Sequence, residues 1–491
     1  MPRPESTRSE RGPLARAAGV AVLWRAVGLG SAKAITLART LALAWLLVPE
    51  DFGLFALATV PLDLMLGVTE LGMIQALARK QGADARDYNA AWTVGLIRSV
   101  LVSSVLIALA PLLGSALGDA RASPLIRLVA LRPIIAAMTS IRVAHLEREL
   151  DFRSLALIDI AGAIATAVIA IAFARSLGVW ALVFGALCGT AAGVLVSYAF
   201  APHAPRLIFD RIRTRELMSF GRWVLAGSLT TMIGEGILMA TMSRLLGASA
   251  VGRYSLAANL ALTPAAAIGS LIGGVAFSVH VRIAHDEEQR QRVFRSTLLA
   301  MLVLSMPIYA VLIALAPRIV AHLLDARWAG TAGAIQLLAL SGILGLFFDL
   351  ASSVFAGTGR PHLLTALCVV FSLTILLTVW PLTRAVGLDG AAISRIAADF
   401  AVAVTFAALL PSVVRKPSRG LTMPFIAVTL ASIAGAIVAF AAVRINDSAR
   451  VLGVASVTGL CVAASLLWAL DRIFGLGLSR DSALVLPIGR A

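Results

Sequence analysis

Long apolar runs, separated by short polar and mostly basic connections, occupy nearly the whole chain. A helix needs roughly 20 apolar residues to cross the hydrocarbon core. On that measure the pattern predicts fourteen spans: 20–47, 53–78, 91–112, 124–145, 154–174, 178–200, 217–246, 250–279, 297–316, 332–356, 362–383, 388–411, 421–443 and 450–470. The first follows a basic stretch (Arg3, Arg8, Arg11, Arg16). It is too long for a signal-peptide core and no small-residue cleavage site ends it, so an uncleaved first helix is expected. An even number of spans puts both ends of the chain on one side.

The basic residues choose the side. Alternate connections and the two tails hold 25 Arg and Lys, from Arg79, Lys80 and Arg86 to Arg415, Lys416 and Arg419; the other connections hold 8. Basic residues concentrate in cytoplasmic loops, so both termini are expected in the cytoplasm, in a multi-pass membrane protein. Composition agrees: 59% of the residues are hydrophobic and 14% charged, against about 45–50% and about 25% in soluble domains. The net charge of +16 is topology rather than a nucleic-acid footprint. Cys188, Cys368 and Cys461 each lie inside an apolar run without a CxxC spacing, and the histidines fall mostly at helix ends. No metal site, disulfide framework or cofactor is expected.

No outer connection is long enough for a catalytic domain. The longest, 316–331, reads as a short amphipathic segment (Ile319, Leu323, Leu324, Trp328) lying at the interface. No GxxxxGK[ST] loop occurs, so an ATP-driven machine or an enzyme is not expected.

The chain also repeats. AWLLVPEDFGLFALA (44–58) matches SRLLGASAVGRYSLA (243–257) at an offset of 199, pairing Gly53 with Gly252 and Phe55 with Tyr254. The same offset pairs Trp24 with Trp223 and Gly28 with Gly227, while Gly178 pairs with Gly387 in a second outer turn. Spans 1–6 and 7–12 therefore read as two copies. Each copy has an even number of spans, so the copies are parallel, with a site expected between them. The implied division is a basic tail (1–19), a first lobe and linker (20–216), a second lobe (217–411) and two appended helices with a tail (412–491). A two-lobed transporter follows, with no catalytic residues.

Each charge at a helix centre costs roughly 2.5–3.5 kcal/mol on insertion scales, so such residues tend to face a cavity or a partner. Arg395 and Asp399 stand four apart and can pair on one face. The first lobe is harder to reduce to pairs. Lys33 and Asp63 fall near mid-membrane on consecutive helices, with Glu70 and Arg98 at similar depth in the inner half. Arg25 and Arg39 share a helix face to within about 40°. One reading is ion pairs holding spans 1–3 together. The other is a hydrated cavity with a cationic excess of Arg25, Lys33, Arg39 and Arg98 over Asp63 and Glu70. The aligned second-copy positions are uncharged (Val224, Met232, Leu238, Leu262, Gly269); Glu235 and Asp349 are the second copy's own acidic contributions, to the cavity or to ion coupling.

LLVPEDFGLFALA (46–58), ELGMIQALARK (70–80) and RELDFRSLALID (148–159) resemble the hallmark sequence of Wzx-type polysaccharide-transporter flippases, within the multidrug/oligosaccharidyl-lipid/polysaccharide exporter superfamily. The resemblance runs through span 12 at least. It implies an all-α membrane protein whose two six-helix bundles form a V that opens alternately to each side. The implied cargo is a polyprenyl-pyrophosphate-linked oligosaccharide, flipped outward for assembly into O-antigen, capsule or exopolysaccharide. The implied partners are membrane lipid and, further along, a polymerase and chain-length proteins; the transporter itself is expected to be a monomer. The planar donor fork of Arg suits the pyrophosphate head. A multidrug or cation antiporter of the same fold would instead need a buried acidic site, for which Asp63 or Glu235 could serve.

Overall fold

The computed structural model describes residues 11–69, 85–149, 151–202, 206–208, 222–283, 286–414, 422–445 and 449–474. Apart from short 3-10 turns, the elements within them are α-helices: α1 (Arg11–Leu46), α2 (Pro49–Thr69), α3 (Ala85–Ala116), α4 (Ala122–Val129), α5 (Arg132–Ala137), α6 (Val143–Arg148), α7 (Phe152–Leu177), α8 (Val179–Phe200), α9 (Arg222–Leu246), α10 (Ala248–Arg282), α11 (Glu287–Leu323), α12 (Thr331–Gly357), α13 (Pro361–Val386), α14 (Leu388–Leu409), α15 (Thr422–Ile445) and α16 (Ala449–Phe474). Ten of these are long and apolar enough to cross a membrane among the described residues. With α1, α2, α9 and the broken fourth segment they make fourteen transverse segments, as the pattern predicts. The chain is an all-α, multi-pass membrane protein.

The PEDFG turn has a local cause. Pro49 opens α2, where its missing N–H costs nothing. Glu50 and Asp51 stand in the first turn, at the positive end of the helix dipole. The Asp51 carboxylate accepts the Val48 N–H at 3.3 Å, half of a capping box. In the second copy Gly247, at φ 81°, leads into α10 instead.

Helix packing follows the repeat. α1 packs on α7 as α9 packs on α13, α7 on α8 as α13 on α14, and α2 on α4 as α10 on α12. Gly178 (φ 55°, ψ −130°) and Gly387 (φ 66°, ψ −134°) make the same left-handed turn between their helices. A side chain at Gly28 would strike Ala156, and one at Gly227 would meet Thr365. Ala156 and Thr365 are related by the 209-residue offset that relates Gly178 to Gly387. α15 and α16 pack on each other and on α11.

Two expectations need correction. Span 124–145 is not one helix but three pieces, α4, α5 and α6. Pro133 offers no N–H and its ring crowds the carbonyl four residues back, so the helix stops at Val129 and restarts at Arg132. The second break is held by the end of α8. Ser140 N–H donates to Ser197 Oγ at 3.1 Å, Ser140 Oγ to the Ala201 carbonyl, and Tyr198 Oη to the Met138 carbonyl at 2.9 Å. Irregular backbone at membrane depth persists only where such partners exist. Replacing Ser140, which is buried, with alanine strands the Ala201 carbonyl and is expected to cost about 1–3 kcal/mol, read as a lower unfolding midpoint in detergent. Second, 316–331 is not one short amphipathic segment with Trp328 on its surface. α11 continues to Leu323, and Trp328 is fully buried with its indole N–H on the Ala44 carbonyl at 2.8 Å.

Candidate functional site

Lys33 and Asp63 were expected on adjoining helices, yet α1 and α2 lead away from their shared turn to different partners. α1 packs along α7, whereas α2 packs against α9 and α10. Between α1, α2, α9 and α10 lies a cavity of about 390 Å³. It sits between the two copies, where parallel repeats place a site.

One wall is apolar and adaptable: Leu43, Phe52, Phe55, Met232 and Met239. The polar groups are Thr40, Thr59, Ser255 and Asn259, and the charged ones Arg39, Asp63 and Glu235. Among the described residues neither Arg39 nor Asp63 makes an ion pair within 4.0 Å. Arg39 Nε and Ser255 Oγ are buried without a hydrogen-bond partner in the protein. Arg132, exposed at the first break of the fourth segment, lies within electrostatic reach of both Arg39 and Asp63.

Glu235 is differently placed. Its carboxylate meets Arg395 Nη1, while Arg395 Nε donates to Asp399 Oδ2 at 3.1 Å. Ser341 Oγ donates to the same Asp399 oxygen. The guanidinium lies 5.0 Å from the centre of the Phe371 ring, and the buried Tyr254 is within its electrostatic reach. One cation therefore ties α9, α12, α13 and α14 together. The expected Arg395–Asp399 pair is present, and Glu235 is its third member, already neutralised on its far side.

Of the eight residues singled out from sequence, the cavity brings together Arg39, Asp63 and Glu235. Lys33 is exposed on α1 and Arg98 half-buried on α3, neither among the lining residues. Asp349 packs its carboxylate against Gly269 of α10, the position aligned with Glu70. Glu70 itself and the side chain of Arg25 lie outside the described residues. Sequence reasoning did not find Arg132 as a neighbour of Arg39, although Pro133 was the signal for a break there. It had no signal for the methionine and phenylalanine wall.

Ion-paired groups cluster beside the α1–α2 turn. Arg121 bonds Asp119 at 2.7 Å and Glu50 at 2.7 Å. The hydrogen bond from Arg121 holds the Asp119 carboxyl below the usual carboxylate range, and Arg327 does the same for Asp325. Both stay ionised at neutral pH, and their contribution is lost only as pH falls through those depressed values.

Liquid water fills ~30 Å³ per molecule, so the cavity has room for about thirteen waters, comparable to a charged head group and one sugar ring. It offers one unpaired cation, polar groups for hydroxyls, and apolar faces.

A family model described as polysaccharide biosynthesis protein matches residues 42–332. Curated relatives include the succinoglycan biosynthesis transport protein ExoT of Rhizobium meliloti, 28% identical over 62% of this chain and 62% of that protein. The lipopolysaccharide biosynthesis protein WzxC of Escherichia coli is 22% identical over 65% of this chain and 64% of its own. The teichuronic acid biosynthesis protein TuaB of Bacillus subtilis is 23% identical over 60% and 62%. The chain thus spans under two thirds of the length of these relatives. Among solved structures, the lipid II flippase MurJ in an inward closed conformation aligns with a TM-score of 0.74 at 12% identity, over 93% of this chain and 100% of that one. An inward-facing multidrug resistance transporter of the MATE family aligns at 0.62 and 18% identity, over 80% and 98%. At these identities the structural likeness concerns the fold.

Proposed function

The chain belongs to the polysaccharide biosynthesis protein family, and we propose that it flips a polyprenyl-pyrophosphate-linked oligosaccharide from the cytoplasmic to the outer leaflet of the bacterial inner membrane. The observation that carries this reading is the cavity between the repeats, with Arg39 unpaired on its wall. Relatives named for succinoglycan, lipopolysaccharide and teichuronic acid biosynthesis support it.

In this reading the two lobes are 20–216 and 217–411, both termini are cytoplasmic, and 412–491 is an addition. The pyrophosphate meets Arg39. Lys33 and Arg98, which are not among the lining residues, serve the approach rather than the cavity itself, and Arg25 is the fourth cation offered to the head group. The first sugar takes the polar groups, more distant sugars stay in the aqueous opening, and the polyprenyl tail stays in lipid. Asp63 balances Arg39 when the site is empty. Glu70, Glu235 and Asp349 complete the acidic set. A membrane potential negative inside favours outward movement of an anion by about 2.3 kcal/mol per charge per 100 mV, and inward return of an empty cationic site. The chain performs no catalysis, and the product passes to a polymerase and chain-length proteins.

The direct test uses undecaprenyl pyrophosphate as probe, with binding to the purified protein followed by native mass spectrometry. The expected result is a stoichiometric adduct that undecaprenol, lacking the diphosphate, does not form. Equal binding of the two lipids would remove the pyrophosphate from the reading. Binding of cationic dyes in preference to both would favour the antiporter.

A further inference from the structure

The cavity is roofed, at the end where α1 turns into α2, by contacts that obey the internal repeat. Gly53 and Gly252, paired at the 199-residue offset, face each other across α2 and α10. A Cβ at Gly53 would stand 1.8 Å from the Ala248 carbonyl oxygen, and one at Gly252 would stand 1.7 Å from that of Pro49. Pro49 and Ala248 are themselves paired at the same offset. The contact is therefore reciprocal, backbone on backbone, as at the centre of a two-fold interface.

A second pair repeats the relation. Trp45 and Arg244 are 199 residues apart. Trp45 Nε1 donates to the Leu323 carbonyl, the last residue of α11, at 2.8 Å. Arg244 Nη2 donates to the Ala116 carbonyl, the last residue of α3, at 2.7 Å. α3 and α11 are the third and ninth transverse segments, equivalent in the repeat. Two further bonds join the same ends: Trp328 Nε1 to the Ala44 carbonyl at 2.8 Å, and Arg327 Nη2 to the Trp45 carbonyl at 3.2 Å. All four acceptors are last-turn carbonyls, which have no partner within their own helix. Water or lipid head groups can replace these donors when the helices part, so the closure is reversible.

We propose that these contacts form an outer gate: Gly53 and Gly252 let α2 and α10 meet backbone to backbone, and Trp45 and Arg244 are its two latches, one from each repeat. The cavity residues of α2 and α10 begin at Phe52 and Ser255, level with these glycines and running away from the turn, so separating the helices there opens the cavity to the outside. The inference rests on the orientation proposed above but not on the identity of the cargo.

The test follows access to the cavity without any substrate. In a background with Cys188, Cys368 and Cys461 replaced by serine, Asn259→Cys places a thiol on the cavity wall. Intact cells and inverted vesicles are treated with a membrane-impermeant maleimide. Without gate changes, labelling is expected from the cytoplasmic face. Trp45→Phe combined with Arg244→Met removes two hydrogen bonds and is expected to raise labelling from outside about tenfold. Gly252→Ala, which cannot close against Pro49, is expected to raise it further. Gly252→Ala could fail to fold; the latch pair, whose side chains keep their bulk, then decides the matter. Unchanged outside labelling in the folded latch variant, or an increase only from the cytoplasmic face, would overturn the gate.

Discussion

Replacing Arg395 with methionine is expected to cost about 3–5 kcal/mol of stability, the magnitude seen when one partner of a buried ion pair is removed. The guanidinium serves two carboxylates, Glu235 and Asp399. Asp399 is only 6% exposed and has Ser341 as its other hydrogen-bond partner. Without the cation, two acids share an interior where charge is poorly solvated. The remedy is equally specific. Adding Glu235→Gln and Asp399→Asn to Arg395→Met removes all three charges and is expected to restore most of the loss, since an apolar or neutral replacement of a whole buried cluster is often tolerated. Unfolding midpoints in detergent, followed by tryptophan fluorescence, compare the three proteins. An Arg395→Met variant as stable as the parent would mean that the cluster is hydrated and contributes little.

Arg39→Ala is expected to act in the opposite sense, with a large loss of cargo handling and a small loss of stability. Arg39 makes no ion pair among the described residues, so nothing buried is abandoned when it goes. A charge-assisted hydrogen bond contributes about 1.5–3 kcal/mol, which corresponds to a roughly ten- to hundredfold weaker affinity for undecaprenyl pyrophosphate. Arg39→Lys keeps the charge and loses the planar fork, so it should fall between alanine and the parent. Asp63→Asn removes the balancing anion and should tighten binding. An alanine variant that binds and transports as the parent does would move the head group away from α1.

Much of this was legible in the sequence because membranes impose local rules. Length and apolarity set the spans, and PEDFG reported both a helix start and, through the offset to Gly252, a repeat; the break at Pro133 was overlooked, because apolarity alone carries span 124–145 through it. The turn glycines 178 and 387 were found as a pair, and they share one backbone conformation. The charged residues were less legible. Helical spacing exposed the Arg395–Asp399 partnership, four residues apart, but not Glu235, which is 160 residues away from Arg395. Depth alone grouped Lys33 with Asp63, whereas direction separates them, because α1 and α2 turn to different partners. Trp328 looked interfacial by its surroundings in sequence; its burial depends on the end of α1, far away in the chain. Long-range placement of this kind has no periodic signature.

The most direct measurement for the central claim is deletion of the gene in the native host, reading surface glycan by gel and lipid-linked glycan by mass spectrometry. The account predicts loss of surface polymer with build-up of polyprenyl-pyrophosphate oligosaccharide on the cytoplasmic side, restored by the parent and not by Arg39→Ala. Normal surface glycan, accompanied by altered sensitivity to cationic drugs, would contradict it.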